Sequence, residues 1–245
     1  MNTEITAIFA RLPLPRFLRE DGAMLAGFLG TAALALGFLK FASEVTEGET
    51  LAIDRHILRG LRTAADPAVP VGPAWLTQAF VDVTALGGVT VLALVTLAST
   101  GFLFAARKPA TAMSVAFAIV GGSLYAVGLK LVFERPRPDV VPHLVDAVGL
   151  SFPSGHATNS AIVYLTLGAL LARAQERGAV RAYLIGIAIL LTMLVGFSRI
   201  WLGVHWPSDV AAGWCAGAVW ALLCWIVERA LQRRHAVEAP GEARG

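Results

Sequence analysis

The sequence predicts an all-α integral membrane protein with six transmembrane helices, short loops and an amphipathic N-terminal segment. Hydrophobic residues make up 56% of the 245 residues, charged residues only 15%, and the mean hydropathy is +0.67. A soluble globular domain carries about a quarter charged residues, so this composition excludes that class. Apolar runs long enough to cross a bilayer recur along the chain, separated by short polar connections.

The formal net charge of +3 and the pI near 9.2 do not indicate a nucleic-acid partner. The basic residues lie in short connections rather than in a stripe or an arm, as expected for residues that orient a protein in the bilayer. Cys215 and Cys224 both lie in the last apolar run, more than two helical turns apart, so they cannot bridge within it.

Residues 1–21 are predicted to form a cytoplasmic interfacial segment, with Ile5, Ile8, Phe9 and Leu12 at helical spacing. The apolar run that follows is too long for a signal-peptide core and lacks a small-residue cleavage site. It is therefore expected to be the first transmembrane helix.

The membrane domain is predicted to span residues 22–228, followed by a cytoplasmic tail, 229–245, whose composition predicts disorder. Its six spans are expected at residues 23–41, 81–106, 110–133, 155–171, 182–197 and 210–227. The connection 134–153 is rich in proline and cannot be one continuous helix. The polar connection 44–73 can form a short helix with one apolar face, made by Ile53, Ile57, Leu58 and Leu61.

Six spans place both termini on one side of the membrane. Most basic residues outside the polar motifs lie at the termini and in the second and fourth connections, so the positive-inside rule places both termini in the cytoplasm. The protein is thus predicted to be a multi-pass protein of the cell (inner) membrane. Three polar clusters then share the outer, periplasmic face.

The first cluster is Lys130 with Arg137 and Pro138, at the end of the third span. Pro136 predicts that the helix ends before Arg137, which would then fold back from the loop. Alone, the pair is better explained by a lysine that snorkels to the interface and a loop arginine in water.

The second cluster, Pro153-Ser154-Gly155-His156, opens the fourth span. Ser154 is placed as an N-cap, and the free N–H groups behind it form an anion site at the positive end of the helix dipole. Gly155 allows a ligand to approach the backbone closely. A plain capped helix start with an uninvolved histidine explains this segment equally well.

The third cluster contains Arg199, His205 and Asp209 between the last two spans. Pro207 suits the first helical turn, so His205 should lie before the helix and Asp209 within its first turn. The carboxylate could then hold one imidazole nitrogen as a donor and leave the other free. Alternatively, Asp209 only complements the helix N-terminus.

Together the clusters place three cations, Lys130, Arg137 and Arg199, near a helix N-terminus with no matching carboxylates in the motifs. A phosphate supplies the missing negative charge, and phosphoryl transfer depends mainly on positioning and on stabilising the equatorial oxygens. A neutral imidazole oriented by a carboxylate is a competent nucleophile, and a second histidine can protonate the departing oxygen.

Lys130-x6-Arg137-Pro138, Pro153-Ser154-Gly155-His156 and Ser198-Arg199-x5-His205-x3-Asp209 resemble the three-part signature of the type 2 phosphatidic acid phosphatase and vanadium haloperoxidase superfamily. The six-span layout is similar to its bacterial membrane branch. Members of that branch act on isoprenyl diphosphates, phosphatidylglycerophosphate, phosphatidate or lipid A phosphates.

The resemblance implies that His205 attacks phosphorus to form a phosphohistidine and that Asp209 orients it. It implies that His156 protonates the leaving group and later activates water. Lys130, Arg137, Arg199, the Ser154 hydroxyl and the Gly155 N–H would hold the phosphoryl oxygens. It also implies a lipid phosphate substrate, no metal, no other cofactor and no obligatory protein partner.

Several alternatives stay open on the sequence. Ser154 could be a nucleophile with His205 as its base, although no G-x-S-x-G elbow surrounds it. His156, His205 and Asp209 could bind zinc, although the nearby cations oppose it. A phosphotransferase of the same fold, or a lipid flippase or transporter with intramembrane charges, would also fit.

Overall fold

The computed structural model describes residues 16–233, which form eight α-helices. In chain order they are α1 Arg16–Glu47, α2 Leu51–Gly60, α3 Ala74–Ala85, α4 Val89–Ala105, α5 Pro109–Phe133, α6 Gly155–Arg173, α7 Gly178–Trp201 and α8 Pro207–Arg233. The predicted all-α class is confirmed. Of the predicted terminal segments, residues 16–21 belong to α1 and residues 229–233 to α8, and the rest lies outside the described residues.

Within residues 16–233, four helices are long and apolar enough to cross a membrane: Met24–Glu47, Pro109–Phe133, Gly178–Trp201 and Pro207–Gln232. The predicted second span, 81–106, is not one helix. It is the bent pair α3 and α4, which meet at 48° and add a fifth crossing if taken together. The first helix of the pair, α3, begins earlier than predicted, at Ala74. The pair breaks at Gly87 and Gly88, because glycine has a low helical propensity.

The predicted fourth span corresponds to α6, which is not among the helices that qualify as spans by length and composition. Its inner face carries buried Thr158 and Ser160, whose hydroxyls donate to carbonyls of the preceding turn. These polar residues lower its hydropathy, and the helix packs among α5, α7 and α8. By length and composition, the described helices therefore supply four spans, or five with the bent pair, against the six predicted.

Two glycines of α8 allow α6 to pack at unusually short range. A Cβ atom on Gly213 would lie 2.9 Å from the Ser154 carbonyl oxygen, and one on Gly217 would lie 2.5 Å from Ala161 Cβ. This G-x-x-x-G spacing lets two helix backbones approach closely within a membrane. Since the contacts advance together along both helices, α6 and α8 run parallel and begin at the same end of the molecule.

The short helix α2 has the predicted amphipathic character but a different inner face. Leu58 is fully buried, whereas Ile53 is 65% exposed, so the apolar residues do not all face the protein. The second buried residue of the helix is Asp54. At ten residues α2 is too short to cross a bilayer.

Candidate active site

Four helix ends meet at one end of the molecule: the C-termini of α5 and α7 and the N-termini of α6 and α8. The Ser154 amide donates to the Asp209 carbonyl at 2.9 Å, which ties the starts of α6 and α8 together. Lys130, near the end of α5, lies beside Gly155, since a Cβ there would be 3.4 Å from Lys130 Cε. The three predicted motifs therefore come together in space.

His205 lies in the connection between α7 and α8, as predicted, and its side chain is 2% exposed. Its Nδ1 atom lies 3.4 Å from Asp209 Oδ2, so the carboxylate can accept the Nδ1 proton. The same oxygen accepts the Trp206 amide at 2.9 Å and the Ser151 hydroxyl. Asp209 is thus held in the first turn of α8, and with the proton on Nδ1 the lone pair of the imidazole lies on Nε2.

Burial lowers the pKa of His205 to about 4, and the positive charges of Arg137 and Lys130 act in the same direction. The hydrogen bond and the negative charge of Asp209 oppose this shift without cancelling it. The imidazole is therefore neutral at neutral pH, which is the state that a nitrogen nucleophile requires.

Arg137 folds back from the loop onto His205, as Pro136 predicted. Its Nη1 atom lies 3.2 Å from His205 Nε2 and donates to the Val204 carbonyl at 2.8 Å. Its other nitrogens donate to the carbonyls of Val148 and Gly149. Burial lowers the pKa of Arg137 while Asp209 raises it. Because an arginine remains charged at any ordinary pH, this side chain brings a cation to the imidazole.

The other two predicted cations approach from helices. Lys130 Nζ donates to the Leu150 carbonyl at 2.8 Å. Arg199 is buried near the end of α7 and donates from Nη1 to the Thr84 hydroxyl at 2.8 Å. Among the described residues, no carboxylate forms a salt bridge with Lys130 or with Arg199. Their charge is available to an anion.

Ser154 occupies the N-cap position of α6, but its side chain makes no capping hydrogen bond. Its buried hydroxyl has no hydrogen-bond partner among residues 16–233, and the same is true of Arg199 Nε. Buried polar groups are nearly always paired, so these two donors are available to an acceptor on a ligand. The first N–H groups of α6, starting at Gly155, add backbone donors at the positive end of the helix dipole.

His156 lies in the first turn of α6, near enough to Lys130, Arg137, Arg199 and His205 to interact with them electrostatically. Its ring packs against the break between α3 and α4. A Cβ atom on Gly87 would lie 3.3 Å from His156 Cδ2, closer than ordinary van der Waals contact, so a side chain at this position would press on the imidazole.

The model of the PAP2 superfamily matches residues 111–233, just over half of the chain. The chain belongs to the PAP2 superfamily. It is 31% identical to phosphatidylglycerophosphatase B of Bacillus subtilis, over 76% of this chain and 88% of that protein. The resemblance that the three motifs predicted is confirmed, and this PAP2 protein is a phosphatase of the phosphoric monoester hydrolase class.

Two solved PAP2 structures resemble the fold. The crystal structure of the transmembrane PAP2-type phosphatidylglycerolphosphate phosphatase of Bacillus subtilis aligns with a TM-score of 0.73 at 27% identity, covering 83% of this chain and 98% of that one. Aquifex aeolicus LpxE aligns with a TM-score of 0.54 at 25% identity, covering 71% and 93%. The PAP2 phosphatase described here is accordingly a multi-pass membrane protein.

The sequence reasoning missed several residues of this PAP2 site. Arg135 forms the ion pair with Asp209, at 2.6 Å between Nη1 and Oδ1, although only Arg137 belonged to the predicted motif. Ser151 and Thr84 hold Asp209 and Arg199 through hydroxyl groups, and Asp54 pairs with Arg135. Arg135 is itself a signal in the sequence, because it is a charged residue two positions before Arg137 for which the motif provides no partner.

Proposed function

We propose that this PAP2 enzyme is a metal-independent membrane lipid phosphatase that works through a phosphohistidine on His205. One observation carries the proposal: a buried, neutral imidazole, oriented by Asp209, faces cations and unpartnered donors that suit a phosphate. The convergence of Lys130, Arg137 and Arg199 would repel a divalent ion, which supports chemistry carried by the side chains alone.

In the proposed first step, His205 Nε2 attacks phosphorus and the bond from phosphorus to the lipid oxygen breaks. His156 donates a proton to that departing oxygen. Asp209 accepts the Nδ1 proton in a hydrogen bond, which stabilises the positive charge that develops on the ring. In the second step, water attacks phosphorus while His156 takes a water proton, and the phosphorus–nitrogen bond breaks to release phosphate.

The phosphate cradle, defined as Lys130, Arg137, Arg199, the Ser154 hydroxyl and the Gly155 N–H, would hold the equatorial oxygens. The transferred group carries most of its charge on these oxygens, so donors fixed before the reaction stabilise it without reorganising. Support comes from the donors of Ser154 and Arg199 that are available to a ligand and from the α6 N-terminus, whose first turn contains no acidic residue.

The substrate class is a lipid monophosphate or diphosphate whose apolar tail stays in the bilayer. Relatives include a decaprenylphosphoryl-5-phosphoribose phosphatase of Mycobacterium tuberculosis and an undecaprenyl-diphosphatase of Bacillus subtilis. A lipid A 1-phosphatase of Rhizobium johnstonii is another. The named substrates share a phosphate joined to a large apolar body, and that shared chemistry is what we carry to this enzyme.

We further propose six crossings, with α3 and α4 as one bent span, both termini in the cytoplasm and the site at the outer face. Basic residues concentrate at the end of the molecule opposite the site, for example Arg107, Lys108 and Arg177. Such residues are retained on the cytoplasmic side of membrane proteins. The substrate would then be drawn from the outer leaflet.

The test compares wild type, His205→Ala and the control His56→Ala on a panel of lipid phosphates and diphosphates with a chelator present. His56 is an exposed histidine of α2. We expect chelator-resistant phosphate release by wild type and the control, and a loss of roughly 10⁴-fold or more in His205→Ala. Release that needs a metal, or survives in His205→Ala, would overturn the proposal.

A quenched reaction with ³²P-labelled substrate examines the intermediate directly. A phosphohistidine is lost in acid and survives alkali, and the label should be absent from His205→Ala. An acid-stable label on a serine would contradict the role given to His205. Product analysis with added alcohol separates a hydrolase, which releases phosphate, from a phosphotransferase, which labels the alcohol.

A further inference from the structure

Asp54 is a charged residue of α2 that belongs to none of the three motifs. Its side chain is 2% exposed, although it lies on a short helix at the edge of the fold. A buried carboxylate is costly unless it is paired and hydrogen-bonded. What Asp54 contacts therefore indicates why it is there.

Both carboxylate oxygens of Asp54 reach the start of α8 and the loop before α6. Oδ1 accepts the Ser208 amide at 2.9 Å, and Oδ2 accepts Arg135 Nη2 at 3.0 Å. The hydroxyls of Ser208 and Thr50 also donate to Oδ2. The carboxylate is fully satisfied, and its partners come from three separate parts of the chain.

Arg135 connects Asp54 to the proposed nucleophile. The same guanidinium that donates to Asp54 donates from Nη1 to Asp209 Oδ1 at 2.6 Å. The other oxygen of Asp209 faces His205 Nδ1. A continuous chain of charge-assisted contacts therefore runs from Asp54 through Arg135 and Asp209 to His205.

Asp54 also completes the cap of α8. In a capping box, the residue at N3 accepts the amide of the N-cap residue, and the N-cap side chain accepts an amide of the first turn. Asp209 performs the first half by accepting the Trp206 amide. The indole of Trp206 cannot accept, and Asp54 accepts the amide of Ser208 in its place. The box is divided between α2 and α8.

We infer that Asp54 is a positioning residue, which fixes Arg135 and the first turn of α8 so that Asp209 presents His205 to the phosphorus atom. The inference rests on the proposed function, because it assumes that His205 is the nucleophile. Asp54 contacts neither the imidazole nor the phosphate cradle. Its removal should slow the chemical step without weakening the binding of phosphate.

Asp54→Asn is the decisive variant. The amide oxygen can still accept the Ser208 amide, while the ion pair with Arg135 is lost. We expect kcat to fall roughly 10- to 100-fold, the loss that follows when the outer partner of a metal-bound histidine is removed. KM for the lipid substrate and the inhibition constant of inorganic phosphate should stay within about threefold, because the cradle is untouched. Glu49→Gln, an exposed acid just before α2, is the matched control.

A double-mutant cycle with Arg135→Met tests the connection. If Asp54 acts through Arg135, adding Asp54→Asn to Arg135→Met should lower kcat by less than twofold. Unchanged kcat in Asp54→Asn, additive losses in the cycle, or parallel losses of phosphate binding and thermal stability would each overturn the inference. Activity in His205→Ala would instead overturn the proposed function itself, so the two failures are distinguishable.

Discussion

Residues 109–233 and residues 16–105 both reach the candidate active site, but with different kinds of group. The C-terminal part holds every side chain proposed to contact phosphate, including His205 and Arg199. The N-terminal part supplies groups that lie behind them: Asp54 pairs with Arg135, which in turn pairs with Asp209, the Thr84 hydroxyl accepts from Arg199, and Gly87 lies beside His156. Variants of the two parts should therefore differ in what they change.

The difference has a physical origin in burial. The reactive ends of α5 to α8 concentrate cations and imidazoles, and such groups need partners that fix them without neutralising the site. A hydroxyl group or a glycine can fix such groups without neutralising them. A carboxylate can also do so if it pairs with an arginine outside the cradle. The N-terminal part can supply such groups only because it packs against the same helix ends.

After His205→Ala, the largest effect is expected for Asp209→Asn, also in the C-terminal part. Loss of the orienting carboxylate should lower kcat by roughly 10³- to 10⁴-fold, as in comparable carboxylate–histidine pairs. Steady-state kinetics with the lipid substrate measure it. A loss of kcat below tenfold would contradict the role of Asp209 in orienting His205.

The same variant carries a pH signature. Since the pKa of His205 is about 4, wild-type kcat/KM should decline as the pH drops through that value, where the imidazole takes up a proton. Asp209 raises this pKa, so its removal should move the acid limb to lower pH. An acid limb that moves upward would contradict the assigned contact.

An intermediate effect on kcat is expected for Gly87→Ala in the N-terminal part. The new Cβ would lie 2.3 Å from Val195 Cγ1, so the packing must shift, at a cost of about 1–3 kcal/mol. We expect a lower melting temperature in detergent and a loss of kcat as His156 is displaced. Gly101→Ala in α4 is the control, since a Cβ there meets nothing within 4 Å, and it should leave stability unchanged or raise it.

The smallest effect is expected for Thr84→Val, which keeps the shape and removes the acceptor of Arg199. We expect kcat/KM to fall about threefold to tenfold, the worth of one hydrogen bond to a charged group. Thr90→Val, at an exposed position of α4, should match wild type. A loss of kcat/KM in Thr84→Val as large as that in Asp209→Asn would contradict the difference proposed between the N-terminal and C-terminal parts.

Local sequence rules predicted much of the reactive part. Proline and spacing placed His205 before α8 and Asp209 in its first turn, and the same rules ended α5 before Arg137. They could not predict contacts between distant segments. No local pattern in the sequence predicts that Asp54 pairs with Arg135. A pair of adjacent glycines also does not indicate whether a helix continues through them or bends, as it does by 48° at Gly87. Ser154 was correctly placed at the helix start, but its hydroxyl does not cap.

The close parallel packing of α6 and α8 through Gly213 sets two helix N-termini side by side. Carboxylates of Asp209 and Asp54 occupy the start of α8, while the first turn of α6 carries no acid. The positive end of the α8 dipole is thus complemented by the protein's own carboxylates, whereas that of α6 is not, and this is the helix end that we propose for the substrate phosphate. If the enzyme binds phosphate as proposed, part of the attraction comes from the main-chain N–H groups at the start of α6, which a side-chain substitution does not remove.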